Sequence, residues 1–139
     1  MSKIAVTFQL KNRDYSYIHL EDPAKTIAAL VNPGEIVIPM SKIEINIDYP
    51  LKTPTIVTLE SDSGEGFSRA ELARKISDEY KRIYDEEEQI AGVTGCIPGM
   101  FNRATSDGPY GIYGHDLGDL DLIEVTQIED NLFELSVDS

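Results

Sequence analysis

Residues 67–89 read FSRAELARKISDEYKRIYDEEEQ, and the reading of this stretch decides the fold. Ser68 offers a side-chain oxygen to the orphan N–H groups of a first helical turn, and Glu71 completes a capping box with it. Phe67 before the cap and Leu72 after it form a hydrophobic staple that sets the direction of the incoming chain. Leu72, Ile76, Tyr80, Ile83 and Tyr84 then recur at helical spacing as one apolar stripe. Glu71 with Lys75, and Asp78 with Arg82, are spaced as i,i+4 ion pairs elsewhere on the surface. The pattern predicts one long helix from about Ser68 to Gln89. Its last turns hold Asp85, Glu86, Glu87 and Glu88, where the helix dipole disfavours negative charge. A solvated helix end accounts for them, and so does an acidic basin shared with carboxylates from elsewhere.

The flanks of this helix read as strands. Ile4, Val6, Phe8 and Leu10 alternate with Ala5, Thr7 and Gln9, the period of a strand with one buried face. Asn12 and Asp14 suit a turn into YSYIHL (15–20), so a hairpin is expected there. Asp22 as N-cap, Pro23 at the first helical position, Ile27, Leu30 and Val31 on one side and the stop Asn32-Pro33-Gly34 predict a short helix. EIVIP (35–39), KIEINIDY (42–49) and TIVTLE (55–60) read as strands. The second alternates strictly, and Pro50 and Pro54 bracket the connection before the third. SDSGEG (61–66) is a loop.

Beyond the helix, residues 92–108 are dense in Gly and Pro, yet Val93, Ile97, Met100 and Phe101 predict an ordered loop laid on the core or covering an opening. YGIYGHDLGDLDLIEV (110–125) reads as strand, tight turn and strand. Its apolar positions switch parity between Leu122 and Ile123, which predicts a bulge near Leu122. A turn at Glu129 to Asn131 leads to a last strand with Phe133, Leu135 and Val137 facing one way. The whole is an α+β chain, one domain over residues 1–139, with a mainly antiparallel sheet, curled or two-layered, under one long helix.

Two segments, GFSRAELARKISDEYKRIYDEEE (66–88) and PYGIYGHDLGDLDL (109–122), together resemble a family of small uncharacterised proteins from bacteria and large DNA viruses that carry a Tyr-Gly-Ile-aromatic-Gly-His-Asp-Leu arrangement. The resemblance covers roughly the second half of the chain. It implies that the two segments act as a unit and carries no established activity with it.

Charge narrows the function. The chain has 12 Lys+Arg against 25 Asp+Glu, a net −13. All 12 bases lie at or before Arg103, opposed there by 16 acids, and the remaining nine acids from Asp107 to Asp138 have no Lys or Arg among them. Phosphate-backbone binding needs clustered cations, so nucleic acid is excluded as an ordinary partner. An anionic C-terminal region instead attracts a cationic protein partner or a small ligand, or simply keeps the protein dissolved. Cys96 is the single cysteine and cannot close an internal disulfide, which with the absence of a long apolar run at the N-terminus points to a reducing, cytoplasmic home. Membrane association is not expected, and the sequence names neither a cofactor nor an oligomeric state.

The most pointed constellation is GHDLGD (114–119). Gly114 and Gly118 permit tight backbone on either side of His115, Asp116 and Asp119. One reading makes these three a metal or general acid/base site. The other makes Asp116 a turn cap, with Leu117 and Leu120 anchoring it. Cys96 with His115 and Asp116 is the thiol and imidazole set available to a hydrolase-like enzyme. Arg103 either clamps an anion or pairs with a neighbouring acid. Tyr110 and Tyr113 suit an interface. The leading expectation is a non-enzymatic binding face made of His115, Asp116, Asp119, Asp121, Glu86, Glu87, Glu88, Arg103, Tyr110 and Tyr113. The alternative is the small enzyme.

Overall fold

The computed structural model describes residues 3–91, 110–112 and 116–139. It is an α+β architecture: eight strands, a short and a long α-helix and one 3-10 turn among the described residues. The strict alternation of residues 42–49 becomes β4 (Lys42–Ile47), with Ile43, Ile45 and Ile47 buried and the residues between them facing out. The other strands are β1 (Ala5–Thr7), β2 (Ile18–His19), β3 (Ile36–Ile38), β5 (Thr55–Glu60), β6 (Phe67–Ser68), β7 (Asp121–Glu129) and β8 (Leu132–Asp138). The main sheet runs β1-β7-β8-β4-β5, with β2 also on β7, and is antiparallel except for β4 beside β8. β3 and β6 form a separate two-stranded sheet.

The long helix α2 (Arg69–Ala91) follows β6 directly. Its cap is as read: the Ser68 hydroxyl accepts the Glu71 N–H at 3.1 Å. The reciprocal half of the box is diverted, because the Glu71 carboxylate accepts the Asp62 N–H at 2.7 Å and so fastens the 61–66 loop to the helix start. The stripe Leu72, Ile76, Tyr80, Ile83 and Tyr84 is buried and belongs to one cluster with the inward side chains of the main sheet. Two polar groups pin this face: the Ser77 hydroxyl donates to the Leu20 carbonyl at 2.6 Å, and the Tyr80 hydroxyl to the Tyr49 carbonyl at 2.8 Å. Gly66 is required where the loop meets β3, since it sits at φ 139° and a Cβ there would lie 2.8 Å from the Ile38 carbonyl oxygen. No helix among the described residues is long and apolar enough to cross a membrane.

Three local readings are corrected. The expected hairpin of the first two strands does not form. Ala5–Thr7 pairs with residues 124–126 and Ile18–His19 with 121–122, end to end along the same edge of β7. The chain between them pairs instead with the end of α1 (Ala24–Ala28): Lys11 N–H donates to Ala29 O at 2.7 Å and Val31 N–H to Gln9 O at 2.9 Å. In α1 itself Pro23, not Asp22, is the cap residue, and the Thr26 hydroxyl supplies the tie back to Pro23 O at 3.0 Å. The Asp78 to Arg82 pair is replaced by Arg82 to Glu79 at 2.7 Å and to Glu86 at 2.9 Å.

The bulge is where the parity switch placed it. The β7–β8 register shifts between Leu122 and Glu124, so that Leu122 and Val125 both face the core. The expected strand at 110–113 is reduced to a single bridge of Ile112 with Leu51. Residues 92–108, taken as a covering loop, lie outside the described residues, as do Cys96, Arg103, Tyr113 and His115.

Candidate functional site

Two of the four acids at the helix end, Glu86 and Glu87, are used by the protein itself. Glu87 falls on the buried stripe, one turn after Ile83 and Tyr84, and is fully buried. Its two carboxylate oxygens accept the N–H groups of Tyr110 at 2.9 Å and Gly111 at 3.1 Å. Glu86 accepts the Tyr110 hydroxyl and an Arg82 N–H. The Tyr110 hydroxyl and the Arg82 guanidinium hold the Glu86 carboxyl below its ordinary value, and the same hydrogen bond raises the Tyr110 phenol. On its other side the same segment is held by residues 51–53, with Lys52 N–H on Gly111 O at 2.8 Å and Thr53 N–H on Tyr110 O at 3.0 Å. Glu86, Glu87 and Tyr110 therefore clamp the returning chain. Glu88 remains exposed.

Of the GHDLGD segment the described residues are 116–119, and these stand apart from this clamp. Leu20 donates to Leu120 O at 3.1 Å and accepts from Ser77, which places the turn beside the Ser77 level of α2. Glu87 is ten residues further on, about 15 Å along the axis at 1.5 Å per residue. Within the turn, Leu117–Asp119 is a 3-10 turn. The Asp119 carboxylate accepts the Asp116 N–H at 3.2 Å, and Asp119 N–H donates to Asp116 O at 3.0 Å. Leu120 is fully buried. This bonding is that of a turn which ties itself. No group of three or more metal-ligating side chains occurs among the described residues.

Four of the C-terminal acids share one surface. Leu122, Val125 and Phe133 face the core, so alternation turns Asp121 and Glu124 of β7 and Glu134 and Asp138 of β8 to the opposite face of the sheet. Asp121 stands opposite Asp138, and Glu134 lies between Thr126 and Asn46 of its neighbouring strands. Glu44 of β4 is on the same face. Asp116 and Asp119 lead into this row. Glu129, the last residue of β7, and Asp130, in the β7–β8 turn, lie at its far end.

At its β2 end the row meets a cleft of about 370 Å³ lined by Tyr15, Tyr17, His19, Glu21, Asp22, Lys25 and Thr26. The rings of Tyr15 and Tyr17 stack with centroids 4.4 Å apart. His19 Nδ1 lies 3.2 Å from the Asp121 carboxylate. Burial, followed by the Asp121 carboxylate, the neighbouring Tyr15 and the Asp14 carboxylate, raises the Tyr17 phenol. A Cβ at Gly118 would lie 3.2 Å from the carboxylate of Glu21, one of the cleft residues, so Gly118 packs against that side of the cleft. His19, Tyr15, Tyr17 and Glu21 did not stand out in the sequence, because their meeting with Asp121 depends on pairing across 102 residues. No family model matches the chain, and no curated protein or solved structure is detectably similar to it.

Proposed function

We propose that the protein is a non-enzymatic binding module that captures a basic partner protein. Its Arg or Lys side chains would lie along the Asp121, Glu124, Glu134 and Asp138 row, with one entering the Tyr15–Tyr17 cleft. The observation that carries this reading is the contact between the two features: an outward-facing row of carboxylates reaches an aromatic cleft where Asp121 meets His19, a residue of the cleft wall, at 3.2 Å. Cations are attracted to the faces of aromatic rings by about 0.5–2 kcal/mol, and a neighbouring carboxylate adds a charge-assisted hydrogen bond. The net charge of −13 steers a basic partner toward the protein from a distance. The reading keeps the anionic face expected of the GHDLGD region and drops the helix end from it.

The test is a calorimetric titration with a hexaarginine peptide. Binding is expected to weaken at least about tenfold in Tyr17→Ala and in Asp121→Asn, and to fall steeply between low and high salt. Equal affinity for both variants, or binding indifferent to salt, refutes the reading.

A further inference from the structure

His19 stands between the acid row and the Tyr15–Tyr17 cleft. Register places it there: in the antiparallel pairing of β2 with β7, His19 lies opposite Asp121, and its Nδ1 comes within 3.2 Å of the Asp121 carboxylate. α1 holds the strand in place, since the His19 N–H donates to the Thr26 hydroxyl at 3.3 Å. An ionised carboxylate has no proton to give, so the neutral ring carries its proton on Nδ1 and donates it to Asp121. Nε2 is then left as an acceptor. Among the described residues no group bonds it, and the ring is part of the cleft wall.

The charge around this nitrogen turns on a single proton. The cleft is lined by Glu21 and Asp22 from the segment after β2 and by Lys25 from α1, together with Tyr15 and Tyr17. Asp121 pairs with the ring from β7, and Asp138 of β8 lies opposite Asp121. Asp116 and Asp119 belong to the turn whose Gly118 packs on Glu21. The lining therefore carries one net negative charge while His19 is neutral, and a proton on His19 removes it. Histidine is the side chain whose ordinary charge change falls between about pH 5 and 8, a range in which carboxylates are ordinarily ionised and lysine and tyrosine ordinarily protonated.

Taking the cleft as the receptor of a partner's cationic side chain, we propose that Nε2 of His19 accepts that side chain's N–H, so that proton and partner compete for one nitrogen. The neutral ring receives a guanidinium or ammonium N–H while Asp121 fixes its orientation. The imidazolium repels the same cation and has no lone pair to offer it. Capture belongs to neutral pH, and release follows acidification. The coupling is reciprocal: the bound partner disfavours protonation of His19 by the factor by which protonation weakens the partner.

The probe is hexaarginine, titrated calorimetrically at about pH 8 and about pH 5.5 at one ionic strength. Affinity is expected to fall at least about threefold at the lower pH, the effect of one unit charge about 6 Å away in water. His19→Gln keeps a donor for Asp121 and an acceptor for the partner but cannot charge, and is expected to bind alike at both pH values. The His19 ring signals of the wild-type protein, followed by NMR, are expected to titrate at lower pH when the peptide is saturating; this readout needs no variant and separates His19 from His115. An unchanged ring titration, equal wild-type affinity at the two pH values, or a fall of the same size in His19→Gln overturns the proposal. The cleft reading survives that failure where Tyr17→Ala still weakens binding at the higher pH. Absence of binding at the higher pH removes the cleft reading and this proposal with it.

Discussion

Two acid-rich regions of this chain have opposite fates. At the end of α2, the Glu87 carboxylate is sealed inside and consumed by two backbone N–H groups, and Glu86 is engaged by Tyr110 and Arg82. On β7 and β8, Asp121, Glu124, Glu134 and Asp138 face outward, and among the described residues the one basic side chain paired with them is His19, on Asp121. The same side-chain chemistry thus serves folding in one place and, on the proposed reading, is left for recognition in the other. What separates them is whether main-chain donors converge on the carboxylate. A carboxylate that has replaced its water with fixed N–H groups has little left to offer a partner.

The sharpest way to break this contrast is Glu87→Ala. It strands the Tyr110 and buried Gly111 N–H groups, and we expect a loss of about 3 kcal/mol in chemical denaturation, with Glu87→Gln losing less because one acceptor survives. A loss below about 0.5 kcal/mol would place Glu87 among ordinary surface acids. Neutralising the outward row together (D121N, E124Q, E134Q and D138N) should shift stability by no more than about 1 kcal/mol, in the stabilising direction where like charges such as Asp121 and Asp138 oppose each other. The same variant should lose hexaarginine binding in calorimetry. The smallest expected effect is on pH. The folded Glu86 carboxyl titrates below its unfolded value near 4.5, so its contribution is present above that pH and disappears as pH falls through the folded value. Wild type and Glu86→Gln should therefore differ in thermal stability at pH 7 and converge as pH falls below 4.5 and through the folded value, by an amount kept small by the exposure of the pair. A gap that does not narrow as pH falls below 4.5 would contradict the assignment.

The helix start was readable because its determinants are neighbours: Phe67, Ser68, Glu71 and Leu72 are enough to specify a cap and a staple. The bulge was readable for the same reason, as a parity change between Leu122 and Ile123 that no regular strand accommodates. The first two strands were misjudged because Asn12 and Asp14 make an equally good turn whether the segments pair with each other or with a strand more than a hundred residues away. Glu87 was legible in principle. It continues the spacing of Tyr80, Ile83 and Tyr84, but a run of four acids reads as solvated unless position is given more weight than charge. The cleft was not legible, since His19 and the tyrosines acquire meaning only once β2 is registered against Asp121.

The most direct test of the account is a carboxylate-detected NMR titration of the uniformly ¹³C-labelled protein with hexaarginine. The account predicts shifts concentrated at Asp121, Glu124, Glu134 and Asp138, with Glu86 and Glu87 unmoved. Shifts spread evenly over all the acids, or strongest at the α2 end, would contradict it.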